Sequence, residues 1–329
     1  MKSWKSRTVG VAAVSLLVLA GCNTGGNPTT STTEKPAAQG GAARDLTYEV
    51  VVHGNPDGSF WNVVKKGALD AGVQYGVKVS VSGDQEGAQQ AKLIDAAVAK
   101  SPTGLVVSMA NPDALKASLA AAKGKDIPFV TINSGADQSK PFGAIGHVGQ
   151  TETVAGQGAG AEMKKAGATK VICLIHEAGN IGLEQRCKGA SESFGGSIEN
   201  LQVDLNNPQA IQATIKSKLL GDPSVNGILA LNPDVAVATV AGVKDAGSQA
   251  KIGAFDINTG VLKAVKDGSI LFTVDQQQYL QGYLPIAMLV LYHDNLNTVG
   301  GGLPVLTGPA FITKDNVGPI ADLVAKGTR

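Results

Sequence analysis

The sequence predicts an α/β protein built from two similar lobes, each with a doubly wound parallel sheet. Short β-rich runs alternate with amphipathic stretches whose apolar residues recur every three or four positions. Strands that alternate with helices are typical of parallel sheets covered on both faces. Residues 45–329 are more than one hydrophobic core usually serves, and ten candidate strands divide into five and five.

The candidate strands follow one another along the two lobes in the same pattern. The first five are 47–53, 77–82, 104–109, 127–133 and 143–148, and the second five are 170–176, 200–205, 227–232, 251–257 and 270–276. The helices between them start at recognisable caps, among them Ser59 and Asn111-Pro112, and several end at glycine, as at Gly76. A glycine-containing stretch near 146–150 is expected to act as a hinge.

The C-terminal part of the chain is expected to cross between the lobes twice more. The helical stretch YLQGYLPIAMLVLYHDN returns to the first lobe, and the run LTGPAFIT leads back to the second. This organisation assigns residues 45–147 and 277–306 to an N-terminal lobe and residues 148–276 and 307–329 to a C-terminal lobe, joined by a hinge of several crossovers.

The N-terminus predicts export. Residues 1–21 combine three basic residues with an apolar run too short for a stable membrane span, which is typical of a secretory signal. The sequence LAGC, ending at Cys22, resembles the lipobox of bacterial lipoproteins, in which the cysteine is diacylated; a plain secretory signal with a chance cysteine is the alternative. Residues 22–44 are rich in Gly, Thr, Pro and Ala and predict a flexible tether. We therefore expect a lipid-anchored protein on the extracytoplasmic face of the bacterial cell membrane.

The charge balance argues against nucleic acid as a partner. The full chain has a formal net charge of +1, and removal of the leader takes away three positive charges and no negative ones, which leaves −2. A near-neutral chain without basic runs lacks the electrostatic footprint of a protein that binds phosphate backbones.

Polar residues follow the apolar runs at the ends of the candidate strands. They are His53, Ser108, Asn133, His176, Asn232, Asp256, and Asp275 with Gln276. Ligands of open α/β sheets bind outside the carboxyl ends of the strands. Each residue alone could equally be a cap or turn residue, but together they form a set of mixed donors and acceptors with little net charge. Such a surface favours a neutral, polyhydroxylated ligand, since each hydroxyl offers one donor and two acceptor positions.

The body, from about residue 46 to 325, resembles the periplasmic-type sugar-binding proteins of the ribose/galactose-binding class, which serve ABC transporters. The resemblance lies in the order and spacing of SFWNVVKKGALDAG, VVSMANPDAL, IPFVTINS, LEQRCKGASESF, GILALNPDVAVATVAGV, IGAFD and TVDQQQYLQGY. It implies the fold of periplasmic binding protein type I, with Phe60 and Trp61 flanking a sugar ring. It also implies polar ligand contacts from Ser108, Arg186, Asn232, Asp256 and Gln276.

One departure from that class concerns the residues after the fourth strand. Members that bind simple aldoses often have Asp-Arg there, whereas this chain has Asn133-Ser134. The change argues against an ordinary aldopyranose and leaves room for a polyol, a cyclitol or a modified sugar, with Asn133 as a contact. His53 has no assigned role in the comparison, and its position makes it a further candidate contact.

The resemblance implies a monomeric binding protein without cofactor or metal, which delivers its ligand to an ABC permease and its ATPase. A lipid-anchored sensor that presents a bound sugar-like molecule to a receptor is the alternative, and a transcriptional regulator would need a DNA-binding motif in place of the leader. Catalysis has no support, because the four histidines are scattered and no nucleophile elbow occurs. Cys173 and Cys187 predict a disulfide, as suits an exported protein.

Overall fold

Two six-stranded sheets organise the part of the chain that the computed structural model describes, residues 40–329. The first sheet contains β1 (Thr47–Val52), β2 (Lys78–Gly83), β3 (Gly104–Ser108), β4 (Phe129–Ile132), β5 (Gly146–Gln150) and β11 (Val305–Gly308). The second contains β6 (Lys170–Ile175), β7 (Ser197–Gln202), β8 (Gly227–Ala230), β9 (Lys251–Phe255), β10 (Phe272–Asp275) and β12 (Ala310–Thr313).

The two sheets have the same topology. Their strand orders are β11-β5-β4-β3-β1-β2 and β12-β10-β9-β8-β6-β7. Every pair of neighbouring strands is parallel except β10 and β12, which run antiparallel. The predicted pair of doubly wound lobes is therefore confirmed, with one antiparallel edge strand that the sequence did not indicate.

The described residues form eleven helices, of which α1 to α10 connect strands and α11 follows β12. They are α1 (Ser59–Tyr75), α2 (Gly87–Ala99), α3 (Pro112–Gly124), α4 (Ala136–Phe142), α5 (Glu152–Lys165), α6 (Ile181–Phe194), α7 (Pro208–Gly221), α8 (Pro233–Asp245), α9 (Thr259–Asp267), α10 (Gln278–Asn295) and α11 (Gly318–Ala325). Asparagine side chains cap five of them by accepting hydrogen bonds from the first-turn N–H groups: Asn111, Asn180, Asn207, Asn232 and Asn258. No helix of residues 40–329 combines the length and apolar character needed to cross a bilayer.

Glycines allow α10 to pack directly against α1. A Cβ atom on Gly67 would lie 2.1 Å from the carbonyl oxygen of Tyr279, and one on Gly282 would lie 1.9 Å from that of Val64. Any larger residue at either position would push the helices apart. This close approach fixes α1, whose N-terminal end faces the space between the lobes.

The chain crosses between the lobes three times, and the first and third crossovers lie later than the sequence predicted. β5 extends to Gln150, so the expected hinge near 146–150 is a strand and the expected boundary at 147/148 falls inside it. The second crossover follows Asp275, and the third lies at Pro309, beyond the expected boundary at 306/307. The strand expected at 200–205 is also displaced and spans Ser197–Gln202.

Four buried apolar clusters form the cores of the lobes within the described part of the chain. Cys173 and Cys187 are joined in a disulfide that links β6 to α6 inside one of these clusters. The expected signal sequence and the expected lipidation of Cys22 lie outside the described residues.

Candidate ligand-binding site

A cavity of about 220 Å³ lies between the lobes, at the carboxyl ends of the strands of both sheets. Eight of the nine side chains that the sequence proposed as ligand contacts line it. The first lobe contributes His53, Phe60, Trp61 and Asn133, and the second contributes Arg186, Asn232, Asp256 and Gln276. The ninth, Ser108, lies elsewhere.

The two aromatic residues at the start of α1 differ in burial. Phe60 is 8% exposed and belongs to the core of the first lobe, whereas Trp61 packs at its edge and is only partly buried. The indole meets the Phe60 ring edge-on at 4.9 Å and the His53 ring at 4.7 Å. Gly54 leaves room for it, because a Cβ atom there would lie 2.3 Å from Trp61 Nε1. Trp61 thus has a fixed orientation on the cavity wall.

Arg186 is held by a buried ion pair rather than left free for a ligand. Its Nε donates to Glu152 Oε2 at 2.5 Å and its Nη2 to Glu152 Oε1 at 3.0 Å. The guanidinium also lies over the Phe255 ring, 4.9 Å from the ring centre. The bidentate pair with Glu152 does not use Nη1, which donates to the carbonyl oxygen of Leu231 at 3.4 Å.

Asp256 follows β9 in the left-handed backbone region, with φ of 68°. Its Oδ1 accepts a hydrogen bond from Gln276 Nε2 at 2.7 Å, and its Oδ2 lies 3.8 Å from Arg186 Nη1. Burial raises the pKa of Asp256 to about 7, although the Arg186 charge and the Gln276 hydrogen bond oppose the rise. The carboxyl group therefore has acceptor capacity that a donor from a ligand can use.

Asn232 serves two purposes at the start of α8. Its Oδ1 accepts hydrogen bonds from the backbone N–H groups of Asp234 and Val235, at 2.8 and 3.3 Å, and so caps the helix. This use of the oxygen leaves the amide nitrogen as the group that Asn232 can offer to a ligand.

Asn133 and Gln276 line the cavity and also tie the crossovers together. Asn133, with φ of 62°, donates from Nδ2 to Gln276 Oε1 at 3.0 Å and to Gln281 Oε1 at 3.2 Å. Gln281 Nε2 donates to Thr307 Oγ1, which donates in turn to the carbonyl oxygen of Gly149, both at 3.2 Å. These groups come from the segments that flank all three crossovers, so the network spans the hinge.

Ser108 does not reach the cavity, contrary to the sequence-based expectation. It is fully buried at the end of β3, and its Oγ accepts from the His53 backbone N–H at 2.8 Å and lies 2.7 Å from His53 Nδ1. From behind the cavity wall, its hydroxyl therefore positions the His53 ring, which lines the cavity. Asp275 does not line the cavity either, and its Oδ2 accepts a hydrogen bond from Arg329 Nε at 2.7 Å.

The sequence missed three polar residues of the cavity. Glu177, Asn180 and Asp234 line it but lie beyond the strand ends, in a loop or at a helix start. Burial raises the pKa of Glu177 to about 7 and lowers the pKa values of His53 and His176 to about 3, so both imidazoles are neutral. Three acidic side chains therefore line the cavity, Glu177, Asp234 and Asp256, and the guanidinium of Arg186 is paired with Glu152. Among residues 40–329, no three His, Cys, Asp or Glu side chains are grouped as metal ligands would be.

The two lobes also touch directly beside the cavity. The backbone N–H of Ile181 donates to the carbonyl oxygen of Ala110 at 3.1 Å. Gln185 Nε2 donates to Asp137 Oδ2 at 3.3 Å, and the Ser134 hydroxyl lies 3.4 Å from Asn180 Oδ1. The cavity is thus enclosed by lobes that meet at its edge.

Comparisons with known proteins agree with this architecture. Residues 48–295 match the model of a periplasmic binding protein domain. The chain is 38% identical to a carbohydrate transporter from Acidothermus cellulolyticus 11B whose crystal structure contains myo-inositol; the TM-score is 0.85, over 87% of this chain and 100% of that one. It is 26% identical over 246 residues to a xylose/arabinose-binding protein of Sulfolobus acidocaldarius, covering 69% of this chain but only 60% of that relative. A xylitol-binding protein of Mycolicibacterium smegmatis is 26% identical over 248 residues, covering 72% of this chain and 68% of its own. The chain belongs to the periplasmic binding protein family.

Proposed function

We propose that the protein is an extracytoplasmic, lipid-anchored binding protein that captures a neutral sugar, polyol or cyclitol between its lobes and delivers it to an ABC importer. The observation that carries the proposal is that one cavity between the lobes combines an aromatic side chain with hydrogen-bonding groups. Trp61 of the first lobe lines it together with polar groups of the second, among them Asp256 and Asn232.

Such a pairing suits a polyhydroxylated ligand. The C–H groups of a sugar or cyclitol ring form an apolar face that can lie against an indole. The hydroxyl groups at its rim need hydrogen-bond donors and acceptors, which the opposite lobe supplies. Closure of the lobes over the ring would exclude water from both kinds of contact, as in other hinged binding proteins.

A cyclitol or polyol fits the departure at Asn133-Ser134. Both ends of the Asn133 side chain are engaged, its Nδ2 with Gln276 and Gln281 and its Oδ1 with the Ser134 hydroxyl at 3.1 Å. This position therefore offers a ligand neither a carboxylate nor a guanidinium. The relative with 38% identity was crystallised with myo-inositol, which supports the same class.

A thermal-shift screen tests the ligand class. The probes are myo-inositol, xylitol, D-arabinose and D-xylose, and a probe at 100 times its Kd should stabilise the protein by about 2.7 kcal/mol. Asp256→Asn should reduce the shift, whereas Asp267→Asn, at an exposed position on α9, should not. The proposed class is wrong if none of the probes raises the melting temperature at millimolar concentration.

The anchor and the delivery step need separate tests. Intact-mass analysis of the native protein should find lipid on Cys22, and Cys22→Ala should release the protein from membranes or block its processing. Cross-linking in native membranes should recover an ABC permease and its ATPase. Recovery of a signalling receptor instead would favour the sensor role, and an unmodified Cys22 at the mature N-terminus would exclude the anchor.

A further inference from the structure

One end of the cavity holds polar groups to which the proposed ligand contacts assign no role. Glu177 and Asn180 lie between β6 and α6, and His53 and His176 follow β1 and β6. Glu177 Oε2 accepts one hydrogen bond there, from Asn180 Nδ2 at 2.9 Å. His53 Nε2 is 3.9 Å from the same oxygen, which is too far for a hydrogen bond.

The charge of Glu177 has no cationic partner at this end of the cavity. Both imidazoles are neutral, because burial lowers their pKa values to about 3. The guanidinium of Arg186 is bound to Glu152 through two of its nitrogens. Only 18% of the Glu177 side chain is nevertheless exposed. Burial accordingly raises the pKa of Glu177 to about 7, so its ionised form is favoured when a further donor reaches it.

His176 also lines the cavity, but its Nδ1 is closed to solvent and does not face a ligand there. The Glu177 carboxyl group lines the same cavity, is partly exposed and has one hydrogen-bond donor, Asn180 Nδ2. Since buried polar groups in proteins are rarely left short of partners, a ligand that supplies a second donor best explains this carboxyl group.

We propose that Glu177, Asn180 and His53 form a specificity subsite that binds a hydrogen-bond-donating substituent of the ligand and rejects an anionic one. The proposal rests on the proposed function and names the substituent that the cavity selects. A hydroxyl group and a protonated amine share the required chemistry, because each can donate to the Glu177 carboxylate and so stabilise its ionised form. A carboxylate or phosphate at that position would instead face Glu177 with a like charge.

The test compares Glu177→Gln with wild type and with Glu184→Gln, which removes a charge from an exposed position on the same loop–helix unit. The probes are myo-inositol, xylitol and D-arabinose as neutral ligands, an amino-deoxy-inositol as a cation, and inositol 1-phosphate and D-glucuronate as anions. Calorimetric titration at pH 8, above the raised pKa of Glu177, measures each Kd. Wild type should bind at least one neutral or cationic probe and bind the anions at least a hundredfold more weakly.

Glu177→Gln should weaken the best neutral probe about tenfold, because a hydrogen bond to a charged acceptor is stronger than one to an amide. It should weaken binding of the cationic probe more, and it should reduce the ratio between the Kd values of the anionic and neutral probes.

Equal weakening of binding for all probes would mean a structural role and would overturn the subsite. A profile identical to that of Glu184→Gln would overturn it too, while leaving the proposed function intact. If wild type binds none of the neutral or cationic probes, the proposed function fails and the subsite fails with it. Should Glu177→Gln melt more than a few degrees below wild type, Glu177→Asp, which keeps the charge, is compared in its place and should preserve the discrimination against anions.

Discussion

Ser59 Oγ donates a hydrogen bond of 2.7 Å to Asp234 Oδ2, and this bond joins the two lobes at the edge of the cavity. Ser59 is the first residue of α1, and Asp234 is the second residue of α8. The serine was expected to cap its helix, but Gly58 occupies the cap position, which leaves the hydroxyl group free to cross the cleft. Asn258 Nδ2 donates to the other oxygen of Asp234 at 3.0 Å and holds it in place.

The first prediction concerns this contact. Ser59→Ala removes the donor, so closure around a ligand should lose about 1 kcal/mol, the typical worth of a part-buried hydrogen bond. Affinity for the best probe should fall about fivefold, mainly through faster dissociation. Stopped-flow fluorescence measures the rate, with Ser217→Ala on the exposed side of α7 as the control. An unchanged dissociation rate in Ser59→Ala would show that the contact has no part in closure.

The second prediction separates the two aromatic neighbours. Trp61→Ala should weaken binding by about 1–3 kcal/mol, by analogy with aromatic stacking on planar ligands, and should leave the melting temperature near that of wild type. Phe60→Ala should instead lower the free energy of unfolding by about 3 kcal/mol, since Phe60 fills the core of the first lobe. Trp61 is the only tryptophan among residues 22–329, so its fluorescence should report binding in wild type. Tight binding by the Trp61→Ala protein would assign the indole to packing alone.

The two lobes and several site residues could be predicted from the sequence. Alternating strands and helices predicted both lobes, and the strand-end rule found Asp256, Asn232 and Gln276, because the carboxyl ends of parallel strands meet at one edge. The rule failed at Ser108, where the strand end turns its hydroxyl toward a neighbouring backbone N–H instead of the cavity.

Other features depend on tertiary contacts that the strand pattern does not record. The partner of Arg186 is Glu152, the first residue of α5 and 34 positions away, and nothing in the spacing of these two residues indicates a pair. The hinge network of Asn133, Gln276 and Gln281 likewise joins residues up to 148 positions apart. Glu177 escaped notice because it lies two residues beyond the end of its strand, in a loop that only the fold brings to the cavity.

The third prediction concerns the buried ion pair. Glu152→Gln leaves the Arg186 guanidinium buried without its carboxylate, and both side chains are at most 4% exposed. The free energy of unfolding should fall by about 3 kcal/mol, the lower end for a broken buried pair, since Asp256 lies near enough to compensate in part. Chemical denaturation measures the change, with Glu162→Gln on the exposed side of α5 as the control. Replacement of both partners, as Glu152→Gln with Arg186→Met, should recover much of the loss. A Glu152→Gln protein as stable as wild type would show that the pair is not needed for the fold.

The fourth prediction concerns the bond between Cys173 and Cys187, which closes a loop of 14 positions. Loop-closure entropy assigns such a bond about 3 kcal/mol of stability at 25 °C. The Cys173→Ala, Cys187→Ala double variant should unfold at correspondingly lower denaturant concentration. Its free energy of ligand binding should change less than its free energy of unfolding, because Arg186 keeps the bidentate contact with Glu152. Two free thiols in denatured, unreduced Cys22→Ala protein would show that the bond does not form.

The last prediction concerns protons taken up or released on binding. Burial raises the pKa of Asp256 to about 7, so in the unliganded protein the group is partly protonated at neutral pH. Ligand hydroxyls that donate to the carboxylate stabilise its ionised form and lower the pKa. Binding should therefore release protons near pH 7, and affinity should fall about tenfold between pH 8 and pH 6. Glu177, with its pKa also raised to about 7, should add to the release, whereas His53 and His176 stay neutral across this range.

The same carboxyl group affects folding with the opposite sign. Its pKa is higher in the folded than in the unfolded chain, so the stability it contributes is present below the unfolded pKa and is lost as the pH rises through 7. Compared with Asp256→Asn, unliganded wild type should therefore lose stability between pH 4 and pH 7, while its affinity for a ligand rises from pH 6 to pH 8. Titration calorimetry in two buffers with different ionisation enthalpies measures the proton release, and denaturation at each pH measures the stability. Binding without proton exchange, or a release that persists in full in Asp256→Asn, would contradict the assignment of these protons to Asp256.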